Sequence, residues 1–197
     1  MLRPYPISFL QFGLFWAIVA VGGIALFRAF AGSRERGGGA AKKSGLSTVG
    51  IALQTLVFFG IGFGQLHVAL PWWAPSSLIC STLVALLGGS AIAIFIAATK
   101  AMGRNWSVVA RTRSDHELVR TGPFAVVRHP IYLALFLYML SFGIAFGHFG
   151  QLLIALPFYI IGAIIRIREE EKLLGAQFGE EHARYVREVP AFIPFIG

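Results

Sequence analysis

Five apolar stretches dominate the chain, at residues 7–30, 46–70, 76–99, 131–146 and 152–165, each bounded by charged, glycine-rich or proline-rich sequence. A helix that crosses the hydrocarbon core needs about 20 mostly apolar residues, and the first three stretches meet that length. The last two are shorter, which predicts either a tight helical hairpin or helices whose polar ends continue into the interface. The runs are continuous, unlike the roughly 10-residue alternating segments of a membrane β-barrel. The pattern predicts one all-α integral membrane protein with about five transmembrane helices. The first stretch is too long for the apolar part of a leader peptide and only Arg3 precedes it, so it reads as a retained helix.

Composition agrees. Hydrophobic residues make up 56% of the chain and charged residues 13%, about half the charged share of a soluble domain; the mean hydropathy is +0.72. The placement of charge is more informative than its amount. Of 17 Lys and Arg residues, Arg28, Arg34, Arg36, Lys42 and Lys43 lie between the first two stretches. Lys100, Arg104, Arg111, Arg113, Arg120 and Arg128 lie between the third and fourth, and Arg166, Arg168, Lys172, Arg184 and Arg187 follow the fifth. Only Arg3 falls on the other side. The positive-inside rule then predicts an external N-terminus and a cytoplasmic C-terminus. Trp72 and Trp73, in an uncharged link, suit the outer interface. Topology thus explains the net charge of +8, and no basic-aromatic module for nucleic acid accompanies it. Cys80 is the single cysteine, which excludes a disulfide framework and a Cys-based metal site.

Residues 33–43 form a basic, Gly-rich linker, predicted to be mobile and to separate an N-terminal helix unit (1–45) from a working core (46–197). Gly60 and Gly64 make a Gly-x-x-x-Gly pair in the second stretch, for which ordinary helix packing is the simpler reading. Residues 102–129 are too polar to cross a bilayer and too aromatic for a plain linker, so they are expected to lie on the membrane or fold back on the helices.

The chemistry concentrates in two segments. The first, residues 118–132, runs Leu-Val-Arg-Thr-Gly-Pro-Phe-Ala-Val-Val-Arg-His-Pro-Ile-Tyr into the fourth stretch. Pro130 biases His129 toward extended backbone and suits a first helical turn. His129 is therefore predicted at a helix mouth, beside unpaired backbone N–H groups that favour anionic partners. The second segment, residues 166–188, reads as helix broken near Gly175 or Gly179 and ended by Pro190. Arg166 and Glu170, four apart, share a face, and Glu171 lies on the neighbouring stripe. A guanidinium such as Arg166 orients a carboxylate through two hydrogen bonds. His129 suits proton abstraction near neutral pH. Glu170 and Glu171 can accept from amino or hydroxyl groups and stand near a cation. The plainer alternative makes the same residues a juxtamembrane charge cluster with i, i+4 pairs, a basic helix start and an interfacial tyrosine. His67 and His148 lie toward the other side and read as structural. The 18 Phe residues read as lipid-facing and packing surface, and no Asp/His cluster points to a metal.

The motif Leu118-Val119-x-x-Gly122-x-Phe124-x-x-Val127-Arg128-His129-Pro130-x-Tyr132 closely resembles the signature of the isoprenylcysteine carboxyl methyltransferase family. So does Arg166-x-x-x-Glu170-Glu171-x-x-Leu174-x-x-x-Phe178-Gly179, followed by Tyr185, Val189-Pro190 and Ile193-Pro194. The resemblance covers about residues 100–197, the motif-bearing region. It implies a membrane methyltransferase that uses S-adenosylmethionine, releases S-adenosylhomocysteine, and holds the cofactor in a cytoplasmic pocket formed by the C-terminal half. Carried over, cofactor contacts fall on His116, Glu117, Leu118, Val119, Phe124, His129, Pro130, Ile131, Tyr132 and Glu170, with Glu171 beside them. Arg166 falls next to the methyl acceptor, so Arg166 and His129 are the candidate catalytic residues. Phe124 stands where tyrosine is common, and so does His182. The implied partners are the lipid bilayer and a hydrophobic or lipid-linked methyl acceptor: an isoprenylcysteine carboxylate, a phospholipid amine or a small thiol. A sterol-type NADPH reductase and a non-enzymatic membrane protein stay open as other classes. Oligomeric state is not legible.

Overall fold

The fourth apolar stretch becomes the centre of the molecule. The computed structural model describes residues 3–34, 41–43, 45–103, 106, 111–113 and 117–192, and within it helix α4 (Pro130–Ala145) contributes to both apolar cores. On one side Met139 packs with Val57, Ile61, Ala155, Tyr159 and Ala163. On the other, Ala145 and Phe146 pack with Phe15 and Val84. Those partners come from α1 (Phe9–Arg34), α2 (Gly45–Gly62), α3 (Pro75–Met102) and α5 (Phe149–Phe178). Helix α3 lies along α4, α2 along α5, and α1 along α3. Four of these helices, α1, α2, α3 and α5, are long and apolar enough to cross a membrane, and α4 is a shorter apolar helix. With 16 residues, α4 is about 24 Å long, short of a hydrocarbon core of about 30 Å. Flanked by protein, it does not need to reach both headgroup layers. The chain is a multi-pass membrane protein.

Two expectations change. The second stretch stops being helical at Gly62, well before residue 70, and Gly64 adopts a φ of +140°, a conformation glycine takes without a Cβ penalty. Residues 63–74 instead close the far end of the bundle. Ile7 donates its N–H to the His67 carbonyl (2.8 Å), and Ala69 and Leu70 donate to the Ile7 carbonyl (3.1 and 3.0 Å). The Gly60/Gly64 pair is therefore no helix-packing motif, and Gly60 faces open space. Nearby, buried Ser77 donates to Ser8 Oγ (2.6 Å), and fully buried His148 sets Nδ1 2.6 Å from the Ile61 carbonyl oxygen. His148 is structural, as its position predicts.

The second change is a small ribbon beside the helices. Strand β1 (Ala41–Lys43) pairs antiparallel with β2 (Arg111–Arg113), Lys42 opposite Thr112. This ties the linker to the polar segment between α3 and α4; glycines 37–39 of the linker lie outside the described residues. The fifth stretch and its polar continuation form one 30-residue helix. The chain breaks at Gly179, where φ is +50°, and a short α6 (Glu180–Glu188) follows.

Helices α2 and α5 cross closely at Gly50 and Gly162. A Cβ on Gly50 would sit 2.5 Å from Arg166 Cγ and 2.9 Å from the Gly162 carbonyl oxygen. The missing side chain lets the Arg166 stem pass between the helices. Gly50→Val is expected to destabilise the protein by about 1–3 kcal/mol through overpacking, seen as a lower melting temperature in detergent. Gly60→Ala should stay within about 0.5 kcal/mol. Equal melting shifts for the two would refute a tight crossing.

Candidate active site

The site forms where α4 begins and α5 leaves the apolar region. Pro130 opens α4, and buried His129 caps it with a φ of −123°. Two backbone bonds pin this mouth to the tail after α6: Arg128 N–H donates to the Pro190 carbonyl (2.9 Å) and His129 N–H to that of Ala191 (3.0 Å). The Arg128 guanidinium also donates to the carbonyls of Val186 and Val189. The tail thus docks on the α4 mouth. Its Ile193 and Pro194 lie outside the described residues.

Helix α5 supplies the opposing groups at the spacing read from sequence. Tyr132 donates its hydroxyl to Glu170 Oε2 at 3.0 Å. His129 faces both acids, with Nδ1 3.7 Å from Glu170 Oε2 and Nε2 3.2 Å from Glu171 Oε1. Arg128 Nη2 closes the cluster at 2.8 Å from Glu171 Oε1. One turn before Glu170, buried Arg166 donates Nη1 to Gln54 Oε1 (2.7 Å) and lies over the Tyr132 ring, 4.8 Å from its centroid. Tyr159 steadies the other side of α4 by donating its hydroxyl to the Tyr132 carbonyl (2.6 Å).

The remaining sequence candidates divide. Phe124 is buried in a 3₁₀ turn, Gly122–Ala125, and its carbonyl accepts the Tyr185 hydroxyl at 2.6 Å. Pro130 is buried and Ile131 half-buried at the start of α4. Leu118 and Val119 are half-buried and Glu117 is exposed. Just after them, Arg120 pairs with Glu188 and lies over the Tyr185 ring, which anchors this segment to α6. His116 lies outside the described residues. His182 is buried, with Nδ1 3.6 Å from where a Gly175 Cβ would stand.

Sequence reasoning did not single out Gln54, Gly50, Arg128 or Tyr159 for this site. Gln54 was visible as one of few polar residues within a span. That it meets Arg166 depends on the α2–α5 crossing, which no local pattern encodes.

Residues 82–176 match the Isoprenylcysteine carboxyl methyltransferase (ICMT) family. That stretch, just under half of the chain, belongs to the ICMT family. The ICMT match begins in α3 and ends in α5, so it includes His129, Tyr132, Arg166, Glu170 and Glu171 and leaves out α1 and α2. A protein-S-isoprenylcysteine O-methyltransferase of Schizosaccharomyces pombe is 36% identical over 90 residues, covering 45% of this chain and 38% of that protein. The protein of the same name from Saccharomyces cerevisiae is 35% identical over 104 residues, 48% of this chain and 40% of that one. The cobalt-zinc-cadmium resistance protein CzcN of Cupriavidus metallidurans is 33% identical over 95 residues, 47% of this chain and 43% of that one. The chain therefore spans less than half the length of these curated relatives.

Electrostatics give the cluster a pH signature. Burial disfavours a charged imidazole at His129, but the hydrogen bonds and charges of Glu170 and Glu171 outweigh it and hold the pKa above the ordinary 6.5. A raised pKa means that this stabilisation is complete below the unfolded-state value and is lost as pH rises through the folded one. Melting temperature should therefore fall as pH rises above the ordinary imidazole range, and His129→Gln should flatten that slope. An unchanged slope in the variant would show that His129 carries no linked proton.

Proposed function

We propose that the protein is an integral-membrane methyltransferase that uses S-adenosylmethionine to methylate a hydrophobic or lipid-linked acceptor of the isoprenylcysteine-carboxylate type. The observation that carries this reading is the constellation of His129, Tyr132, Glu170 and Arg166 inside the ICMT-matched stretch. The cofactor supplies a methyl group already activated on a sulfonium, so the protein mainly has to position and desolvate the reacting groups. Two carboxylates, with the aromatic faces of Phe124 and Tyr132, suit a cation that carries amino, ribose and adenine groups.

The acceptor side has its own support. Gln54 spends its amide oxygen on Arg166, and its buried Nε2 has no partner among the described residues. A buried donor without a partner asks for an acceptor, and beside a guanidinium the best match is a carboxylate. A carboxylate nucleophile is ionised at neutral pH and needs no base. His129 fits that case, because both its ring nitrogens face acids and its role becomes holding Glu170 and Glu171. A thiol or amine acceptor would need that imidazole free to take a proton. Excess basic residues at this end of the helices support a cytoplasmic site, with the N-terminus outside. On this reading the polar cofactor enters from the aqueous side and the acceptor from the bilayer.

The test is calorimetric titration of the detergent-solubilised protein with S-adenosylhomocysteine, with NADPH in parallel. Saturable S-adenosylhomocysteine binding is expected, weakened about tenfold or more in Glu170→Gln, as for a hydrogen bond to a charged group. Binding of NADPH alone would move the chain to a reductase, and binding of neither to a non-enzymatic protein. In turnover, Gln54→Leu is expected to raise KM for a prenylcysteine carboxylate about tenfold while cofactor binding holds. Transfer only to a phospholipid amine or small thiol would overturn the carboxylate assignment.

A further inference from the structure

Helices α1 and α3 run side by side in the same direction, Ile18 lying at Gly88 and Ile92 at Gly22. Along this seam two hollows of about 420 Å³ each share Val21 and Ile96, so they form one continuous trough. From Leu14 to Arg28 the trough runs about 21 Å along the helix axis, more than one leaflet of a hydrocarbon core about 30 Å thick. Its inner part carries only apolar and glycine residues.

Its other part ends at Arg28 and Lys100, at the same end of the bundle as His129. Buried Trp106 forms part of this wall, its ring edge-on to Phe30 (5.0 Å between centroids) and Phe95 (6.3 Å). Neither Arg28 nor Lys100 has an ion-pair partner among the described residues. Among the described residues, no acidic one lines either hollow. None of these residues belongs to the His129 cluster, and the half of the seam that α1 contributes lies outside the ICMT match.

An apolar trough capped by two basic side chains is complementary in shape and charge to a phospholipid bearing an anionic headgroup. We propose that the α1–α3 seam is a binding site for one anionic phospholipid, its acyl chain in the trough and its phosphate between Arg28 and Lys100. Two sets of forces act on that ligand. The chain brings apolar contact that any lipid would make, and the two basic side chains supply the headgroup selectivity. The site gives α1 a binding role independent of the methyl-transfer reading.

The test is native mass spectrometry of the full chain in non-ionic detergent, titrated with phosphatidylglycerol or phosphatidylcholine of identical acyl chains. One retained phosphatidylglycerol per protein is expected. Arg28→Gln with Lys100→Gln should weaken it about thirty-fold, at the usual worth of two basic residues near a headgroup. Arg184→Gln with Arg187→Gln, removing two charges on α6, should leave it unchanged. Gly89→Leu, whose side chain projects into open space in the trough, should weaken binding with both charges kept. Equal retention of the two lipids, an equal loss in the α6 control or no effect of Gly89→Leu would overturn the proposal. A dimer mass without lipid would assign the face to a second copy of the chain.

Discussion

Buried charge is costly unless it is paired, and the pairing of buried His129 with Glu170 and Glu171 is the interaction on which the rest of the site depends. It joins the first turn of α4 to α5 across a gap that no backbone bond closes. Each member needs support from elsewhere. Tyr132 fixes Glu170, Arg128 fixes Glu171, and the tail after α6 fixes Arg128 and His129 through backbone carbonyls. Without the docked tail, the N–H groups at the α4 mouth and the Arg128 guanidinium would lose these acceptors. The tail is thus part of the cluster's wall.

Arg166 extends the same logic inward. A guanidinium this buried needs acceptors and a low-cost surface for its planar face. Gln54 provides the first and Tyr132 the second. Gln54 is within reach because α2 and α5 approach closely at Gly50 and Gly162, and a Cβ on Gly50 would displace the arginine stem. Packing and chemistry are therefore one constraint: the crossing that stabilises the bundle also sets where the guanidinium lies.

The opposite end of the molecule solves a different problem. Short links between spans leave backbone groups that a helix does not satisfy, and here the N-terminal segment, residues 63–74 and the α4–α5 link satisfy one another. Ser8, Gln11, Ser77 and His148 are polar and buried because they complete that closure. The His129–Glu170–Glu171 cluster lies at one end and this closure at the other, which separates the candidate site from the structural contacts.

The membrane class, the presence of five apolar helices, a helix break near Gly175 or Gly179 and the placement of Arg166 and Glu170 on one face were legible in the chain. Those properties follow from local rules: hydropathy over about 20 residues and helical spacing. The His-Pro-x-Tyr and Arg-x-x-x-Glu-Glu elements were also legible as chemistry-bearing motifs. The tertiary structure alone decided that both motifs meet, that Gln54 joins them, and that Gly50 and Gly162 make room. It also decided that the second helix stops at Gly62, because the far-end backbone bonds of residues 63–74 outweigh an apolar sequence that would otherwise continue as helix. Each of these depends on contacts between segments far apart in sequence, and periodicity within one segment carries no information about which partner it will meet.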